Sequence, residues 1–222
     1  MPEAEGMALY EAGLRAGQGS PEPWVERPWV EIGTYCGKSA VYLGAAARWT
    51  GALLFSVDHH RGSEELQPGW PGHDPEVVDP ATGTIDTLPW ARRTIHEAGL
   101  EGTVVLVVGE SVPVARVWEA PLSLLFIDGG HGARAAWADY TSWAPKVAMG
   151  VTLAIHDVFA DPAEGGQVPY EIFCQARASG EWDEVDAVGS LRLLRRTWAP
   201  RLYYSWPGPP PGPPPVPDWG SA

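Results

Sequence analysis

The chain has few cysteines, an excess of acidic over basic residues, and no long apolar run. Its two cysteines, Cys36 and Cys174, form neither a disulfide framework nor a Cys-x-x-Cys zinc pattern. The 15 Lys and Arg against 28 Asp and Glu give a net charge of −13, which argues against nucleic acid as the main partner. The sequence shows no membrane-spanning stretch, no basic run for a membrane surface and no signal-peptide pattern. We therefore expect a reduced, cytoplasmic protein without nucleic-acid or membrane partners.

Two common nucleotide-binding patterns are also missing from the glycine-containing stretch 29–43, WVEIGTYCGKSAVYL. A Walker loop needs a glycine five residues before Gly37, where Ile32 stands, and the Gly-x-Gly-x-x-Gly pattern needs one in place of Tyr35. The stretch instead predicts a buried strand, a tight turn and a helix N-terminus, with glycines that allow close ligand approach. The Glu31 carboxylate and free N–H groups nearby suit a ligand with cationic and polar groups. A structural turn without a ligand is the alternative.

The rest of the chain alternates apolar strand candidates with segments of helical period. Strands are predicted at 29–32, 53–58, 103–108, 122–128, 151–155, 182–188 and 190–197. Helices are predicted at about 5–16, 39–49, 87–98, 133–147 and 169–179. This order predicts an α/β fold with a mostly parallel sheet and an antiparallel C-terminal hairpin.

The predicted organisation is an N-terminal helix and loop (1–23), a main domain (24–200) and a tail (201–222). The helix either covers the ligand cleft or packs at an edge. Residues 59–86, rich in Gly, Pro and acids, are expected to form a long loop without regular structure. Histidines and Trp70 favour a lid that contacts substrate, against a solvated insertion. The Pro-rich tail is either a ligand for a proline-recognising partner or an idle extension.

Ionisable side chains follow five of the predicted strands. Because ligands bind beyond the carboxyl ends of parallel strands, we expect them to share one edge of the sheet. The strand-end residues are Glu31, Asp58, His59, His60, Glu110, Ser111, Asp128, His131, His156 and Asp157. Asp58, at the end of the strand after the glycine turn, is placed to accept ribose hydroxyl hydrogen bonds.

Carboxylates and an imidazole at two adjacent strand ends could hold a divalent metal. The predicted ligands are Asp128, His156 and Asp157. Such an ion would lower the pKa of a substrate hydroxyl, and His131 could take its proton as general base. Asp128 and His131 are thus the predicted catalytic residues. The alternatives are strand-capping carboxylates and a structural histidine.

Residues 28–197 resemble the class I S-adenosylmethionine-dependent methyltransferases. The loop Tyr-Cys-Gly with a serine two residues on is similar to the catechol O-methyltransferase type, and Phe-Ile-Asp-Gly-x-His is similar to bacterial sugar and antibiotic O-methyltransferases. The resemblance implies a Rossmann-like sheet of seven strands with helices on both faces. It also implies S-adenosylmethionine as cofactor, with His59 near the adenine face and Ser111 in contact with the adenine. The implied cofactor-binding residues are Glu31, Gly33, Thr34, Tyr35, Gly37, Ser39, Asp58, His59, Glu110, Ser111 and Asp128.

The chain departs from the catechol type at the metal motif. His131 stands where those enzymes carry a lysine, and His156-Asp157 where they carry Asp-Asn. A histidine ligand makes the site softer, which increases its preference for Mn²⁺, Fe²⁺ and Zn²⁺ relative to Mg²⁺.

The expected activity is methyl transfer to a hydroxyl of a small molecule, such as a sugar or a phenolic metabolite. A metal-dependent hydrolase or lyase and a non-catalytic Rossmann-like binding module are the alternatives. Trp137 and Trp143 permit a homodimer without requiring one.

Overall fold

The computed structural model describes residues 1–18 and 28–197. The predicted Pro-rich tail (201–222) and most of the predicted N-terminal loop lie outside the described residues. Within them, seven strands form one sheet: β1 (Trp29–Ile32), β2 (Leu54–Asp58), β3 (Val104–Val108), β4 (Leu122–Ile127), β5 (Val147–Ile155), β6 (Trp182–Val188) and β7 (Leu191–Arg196).

The strand order is β3-β2-β1-β4-β5-β7-β6, with β1 to β5 parallel and β7 antiparallel to both β5 and β6. The predicted sheet and its closing hairpin are confirmed, including the turn at Gly189 and Ser190. The order of the strands reverses between β1 and β4: β2 and β3 are added on one side of β1, and β4 and β5 on the other. At such a switch point the two strand ends leave a crevice, which is where ligands bind in this class of fold.

Helices cover both faces of the sheet, as predicted. Those of the described residues are α1 (Glu3–Gln18), α2 (Lys38–Thr50), α3 (Leu88–Glu97), α4 (Ser111–Val117), α5 (Ala133–Trp143) and α6 (Val168–Ala178). Residues of α1, α2 and α3 pack in one apolar cluster, and residues of α4, α5 and α6 in the other. Alternate residues of β4 enter each cluster, since a central parallel strand is buried on both faces.

Two predicted boundaries and one missing helix need correction. The predicted helix 133–147 ends at Trp143, a 3₁₀ turn (Ala144–Lys146) follows, and β5 begins at Val147 rather than at residue 151. Pro145 explains the early stop, because proline cannot donate the backbone hydrogen bond of a continuing helix. Helix α4 was not predicted; seven residues with a proline in the first turn are too few to show a helical period.

The insertion 59–86 is more ordered than predicted. It contains 3₁₀ turns at Glu64–Leu66 and Pro75–Val77 and an isolated antiparallel bridge between Val78 and Ile85. His60 is buried at its base, with Nδ1 2.8 Å from the Thr87 hydroxyl. Trp70 is exposed. These short elements escape a periodicity search because each spans only a few residues.

The sequence left open whether the N-terminal helix covers the ligand cleft or packs at an edge. In the structure, α1 packs against α2 and the sheet. Leu9 and Ala12 are buried in the same cluster as Leu43 of α2 and Trp29 of β1. A Cβ at Gly6 would lie 2.4 Å from the Tyr42 ring, so a glycine lets the two helices approach closely.

The tryptophans suggested for a dimer face pack inward. Trp143 is fully buried, and Trp137 packs against the core and stacks edge-on with Tyr140, with ring centroids 6.1 Å apart. They therefore give no support to a dimer. Among the described residues, no helix combines the length and apolarity needed to cross a membrane. Cys36 and Cys174 are both free.

Candidate functional site

The turn between β1 and α2 depends on glycine at two positions. Gly33 has φ +92°, and a Cβ there would lie 2.1 Å from the carbonyl oxygen of Asp128. Glycine thus lets the loops after β1 and β4 meet at the switch point. This packing requires glycine at position 33 independently of the predicted close approach of a ligand. Gly37, with φ +91°, stands immediately before the first residue of α2.

Asp58 fixes this turn to the end of β2. Its Oδ2 accepts hydrogen bonds from the backbone N–H groups of Thr34 (2.9 Å) and Tyr35 (2.8 Å), and its Oδ1 accepts one from His60 N (2.7 Å). The bonds hold Tyr35 in the left-handed region at φ +47°. Asp58 therefore shapes the predicted cofactor loop, and a ribose hydroxyl would have to share its oxygens with these amides.

Glu31 lies beneath the same loop and is fully buried. The Ser56 hydroxyl donates to its carboxylate and is itself paired with the Thr34 hydroxyl. Burial raises the pKa of Glu31 to about 7, although hydrogen bonds from the Ser39 and Ser56 hydroxyls work in the opposite direction. In this conformation Glu31 and Ser39 support the loop from inside. The predicted contacts with the cofactor remain predictions.

Glu110 and Ser111 follow the end of β3, as expected, and Ser111 is the first residue of α4, which was not predicted. Glu110 is exposed and precedes the helix, whereas the Ser111 hydroxyl donates to Asp139 on α5. Asp139 is buried, which raises its pKa to about 6. His59 is exposed. No sequence pattern marked Asp139, because an acid inside an amphipathic helix is normally solvated.

His131 lies between two carboxylates after β4. Its Nε2 is 2.9 Å from Asp157 Oδ2, and its Nδ1 is 3.0 Å from Glu65 Oε1. Both contacts favour the charged ring, and that with Asp157 contributes most to a raised pKa of His131. The two carboxylates therefore favour the protonated form of this ring.

His156 at the end of β5 occupies a similar but buried position. Its Nε2 lies 2.8 Å from Glu5 Oε2, and its Nδ1 lies between Asp128 Oδ1 and Asp157 Oδ1, 3.1 Å from each. Burial disfavours the charged ring, but the two aspartates outweigh it and raise the pKa of His156 to about 11.

Asp157 responds to both rings. Burial would raise the pKa of this carboxyl, but hydrogen bonds and charge from His131 and His156 hold it far below its usual range. Its backbone adopts φ +55°, an uncommon conformation for aspartate that turns the side chain back toward β4. The strand-end carboxylates and imidazoles thus form one connected group.

The groups best arranged for a cation differ in one member from the predicted set. Asp128, His131 and Asp157 can each offer one ligand atom, and these atoms lie within 4.8 Å of one another. Two carboxylate oxygens and an imidazole suit a divalent ion of intermediate hardness. Nδ1 of the predicted ligand His156 lies 3.1 Å from both aspartates, but His156 is not a member of this set.

A small cavity adjoins this group beneath the ends of β4 and β5. It measures about 20 Å³, room for about one water molecule. Asp128, His131, Asp139 and His156 supply its polar lining, and apolar residues such as Ile172 of α6 supply the rest. The arrangement places carboxylates, imidazoles and an apolar wall beside the glycine turn.

Two carboxylates of the group were missed by sequence reasoning. Glu5 lies in the first turn of α1, and Glu65 lies in the insertion. Neither follows a strand, and nothing local distinguishes them from solvated acids, so only the tertiary fold shows that they contact His156 and His131.

The seven-stranded doubly wound sheet, with its antiparallel β7 and a glycine turn at the switch point, is the Rossmann-like methyltransferase fold. The family described as "Methyltransferase domain" matches residues 30–158, more than half of the 222 residues. The chain therefore belongs to this methyltransferase family, and the predicted resemblance is confirmed.

Solved structures agree on the fold. The O-methyltransferase NovP superposes with a TM-score of 0.65 at 16% identity, covering 88% of this chain and 80% of that one. Cofactor-bound Rv0187 from MTB gives 0.57 at 16% identity, with coverages of 88% and 81%. The Podospora anserina methyltransferase PaMTH1, bound to SAH, gives 0.52 at 14% identity, with 89% of both chains covered.

Proposed function

We propose that this methyltransferase uses S-adenosylmethionine to methylate a hydroxyl group of a small molecule, such as a sugar or a phenolic metabolite. The observation that carries the proposal is the adjacency of two features at the switch point. Gly33 of the cofactor turn meets the backbone of Asp128. The Asp128 side chain in turn lies 3.1 Å from His156, within the connected group of strand-end carboxylates and imidazoles. A bound cofactor would thus present its methyl group beside residues suited to activate a hydroxyl.

Similar folds support the cofactor and the acceptor atom. NovP is described as an O-methyltransferase, and PaMTH1 was solved with SAH, the product of the cofactor. In this chain Asp58 holds the turn residues Thr34 and Tyr35 through hydrogen bonds from their backbone N–H groups. A loop held in this way lowers the entropic cost of binding.

A divalent metal fits the donor set. Asp128 and Asp157 would hold it, and when bound it would polarise the substrate hydroxyl and lower its pKa. The excess of carboxylates supports this assignment. Four carboxylates (Glu5, Glu65, Asp128 and Asp157) face two imidazoles, so the group is anionic even with both rings charged.

His131 is the proposed general base. It is partly exposed, whereas His156 is almost fully buried. The base role requires an unprotonated Nε2, so the substrate or a cation must first take the place of the Asp157 contact. Release of that contact would remove the main cause of the raised pKa.

The direct test is methyl transfer from methyl-labelled S-adenosylmethionine to a panel of phenols and sugars. Reactions are run with Mg²⁺, with Mn²⁺ and with EDTA. Product in a metal-containing reaction that EDTA abolishes supports the full proposal. Product that survives EDTA keeps the methyltransferase and rejects the metal. Hydrolysis of a panel member, without methyl transfer or SAH binding, would favour the metal-dependent hydrolase alternative.

Three expectations remain predictions: a cytoplasmic location, the absence of nucleic-acid and membrane partners, and a homodimer. The net charge of −13 continues to support the exclusion of nucleic acid. Size-exclusion chromatography with light scattering would determine the oligomeric state.

A further inference from the structure

A hydrogen bond between α4 and α5 joins a buried acid to a serine at the end of β3. The Ser111 hydroxyl, in the first residue of α4, donates to Oδ1 of Asp139 on α5. Asp139 is only 7% exposed, whereas Ser111 is partly exposed. The hydroxyl therefore lies between a buried carboxylate and the edge of the sheet where the strands end.

The Asp139 carboxylate is held in place from two sides. It belongs to the buried face of α5, together with Ala136 and Trp143. A Cβ at Gly129 would lie 2.8 Å from Asp139 Oδ2, so glycine at that position lets the loop after β4 pack directly against the carboxylate. One oxygen thus contacts this loop while the other accepts the Ser111 hydroxyl, and the packing fixes the orientation of the carboxylate.

This arrangement determines which hydrogen bonds Ser111 can still make. A serine hydroxyl has one proton to donate and two lone pairs that accept, and an ionised carboxylate only accepts. Burial raises the pKa of Asp139 to about 6, against the Ser111 hydrogen bond and the charge of His59, so the carboxyl is ionised at pH 8. Because its proton is bound to Asp139, the Ser111 hydroxyl offers a ligand only an acceptor.

The ends of three neighbouring strands lead from the proposed methyl-transfer site to Ser111. The sheet order begins β3-β2-β1-β4, and the loops after β1, β2 and β3 carry Gly33, Asp58 and Ser111. The carboxylates and imidazoles follow β4 and β5. A cofactor with its methyl group beside them would extend its nucleoside past the ends of β1 and β2. The base, the last part of the nucleoside, would then reach Ser111.

We propose that Asp139 is a specificity-determining positioning residue of the cofactor site, which fixes the Ser111 hydroxyl as a hydrogen-bond acceptor and thereby selects a base with an exocyclic amino group. This inference rests on the proposed function, in which S-adenosylmethionine is the cofactor. The amino group of adenine donates to the hydroxyl oxygen. Hypoxanthine carries a carbonyl oxygen at the same position, so two acceptors would face each other and both would lose a hydrogen bond.

The test compares the affinities of two ligands that differ only at that position of the base. Calorimetry at pH 8 measures the binding of S-adenosylhomocysteine and of S-inosylhomocysteine to the full-length protein. The variants are Asp139→Asn, which keeps the shape of the side chain, and Ser111→Ala, which removes the hydroxyl. Asp183→Asn is the matched control, because Asp183 is an exposed aspartate on β6 at the opposite edge of the sheet.

We expect the wild type and Asp183→Asn to bind S-adenosylhomocysteine about 10- to 100-fold more tightly than S-inosylhomocysteine, the usual cost of an unpaired polar group. In Asp139→Asn the amide can donate to the Ser111 hydroxyl, which frees its proton for a ligand carbonyl. The preference should therefore fall to about 3-fold or less in this variant. It should fall equally in Ser111→Ala, where the hydroxyl is absent.

The ratio of the two affinities separates positioning from a purely structural role. If Asp139→Asn weakens both ligands equally and keeps the wild-type preference, Asp139 only supports the fold and the proposal is overturned. A wild type that binds both ligands alike would overturn it as well, without any variant, as would a preference that persists in Ser111→Ala. Failure of the wild type to bind S-adenosylhomocysteine would instead reject the proposed function.

Discussion

Glu5 in the first turn of α1 lies 2.8 Å from His156 at the end of the fifth strand, although the two are 151 positions apart in the chain. The other oxygen of Glu5 accepts hydrogen bonds from Ser190 N (2.6 Å) and Ser190 Oγ (3.0 Å) in the β6–β7 turn. Both the glutamate and the imidazole are almost fully buried. The first helix, the fifth strand and the closing hairpin are thus joined by one carboxylate next to the proposed site.

Glu5→Ala should destabilise the fold, because it leaves Nε2 of His156 and the Ser190 N–H without a partner. Breaking a buried charge pair on one side costs about 3–5 kcal/mol. Glu11→Ala is the matched control, since Glu11 is on the same helix with a side chain 59% exposed. Urea unfolding at neutral pH measures both free energies. Equal stability of the two variants would show that the Glu5 contact contributes nothing.

Gly33→Ala should lose both stability and cofactor binding. The new Cβ would collide with the Asp128 carbonyl oxygen, 2.1 Å away, in a backbone conformation with φ +92°. Gly69→Ala has a similar φ of +96° but nothing within 4 Å, so it reports the backbone cost alone, about 1–2 kcal/mol. Thermal unfolding measures the loss of stability in each variant, and S-adenosylhomocysteine titration measures the loss of cofactor binding. If the two variants behave alike, the close approach of the loops is not needed.

Glu31→Gln should change the dependence of stability on pH. Below the ordinary Glu pKa of 4.5 the carboxyl is neutral in both states and adds no penalty. As pH rises toward about 7, the unfolded chain ionises while the buried carboxyl resists, so folded stability falls. The full penalty, about 3 kcal/mol from the size of the shift, applies above that range.

The glutamine variant lacks this ionisation. Relative to wild type, its free energy of unfolding should therefore increase between pH 5 and pH 8. Urea unfolding of both proteins at a series of pH values in this range measures the difference. A constant difference between the two proteins across that range would show that the Glu31 pKa is not raised by burial.

His131→Ala should reduce turnover about 10²- to 10⁴-fold, the usual contribution of a general base, with little change in cofactor affinity. His96→Ala is the control, because His96 is an exposed histidine on α3 that pairs with Glu101. Kinetics on a panel substrate measures turnover, and calorimetry with S-adenosylhomocysteine measures cofactor affinity. Parallel losses in turnover and affinity would assign His131 a structural role.

The sequence predicted the sheet well because its signals are local. Buried apolar runs ending at Gly33 and at Asp58 mark strands and turns without knowledge of the rest of the chain. Helix α4 and the 3₁₀ turns of the insertion were missed because they are shorter than the period that reveals a helix. Contacts such as Glu5 with His156 and Glu65 with His131 join distant segments, and no local pattern encodes them.

The account depends most directly on S-adenosylhomocysteine binding at the crevice between β1 and β4. Calorimetric titration of the full chain, with and without chelator, measures it, and Asp58→Ala is titrated alongside. We predict saturable one-to-one binding by the wild type that survives the chelator. We predict weaker binding by Asp58→Ala, because that variant frees the N–H groups of Thr34 and Tyr35. Absence of binding by the wild type in both conditions would contradict the account.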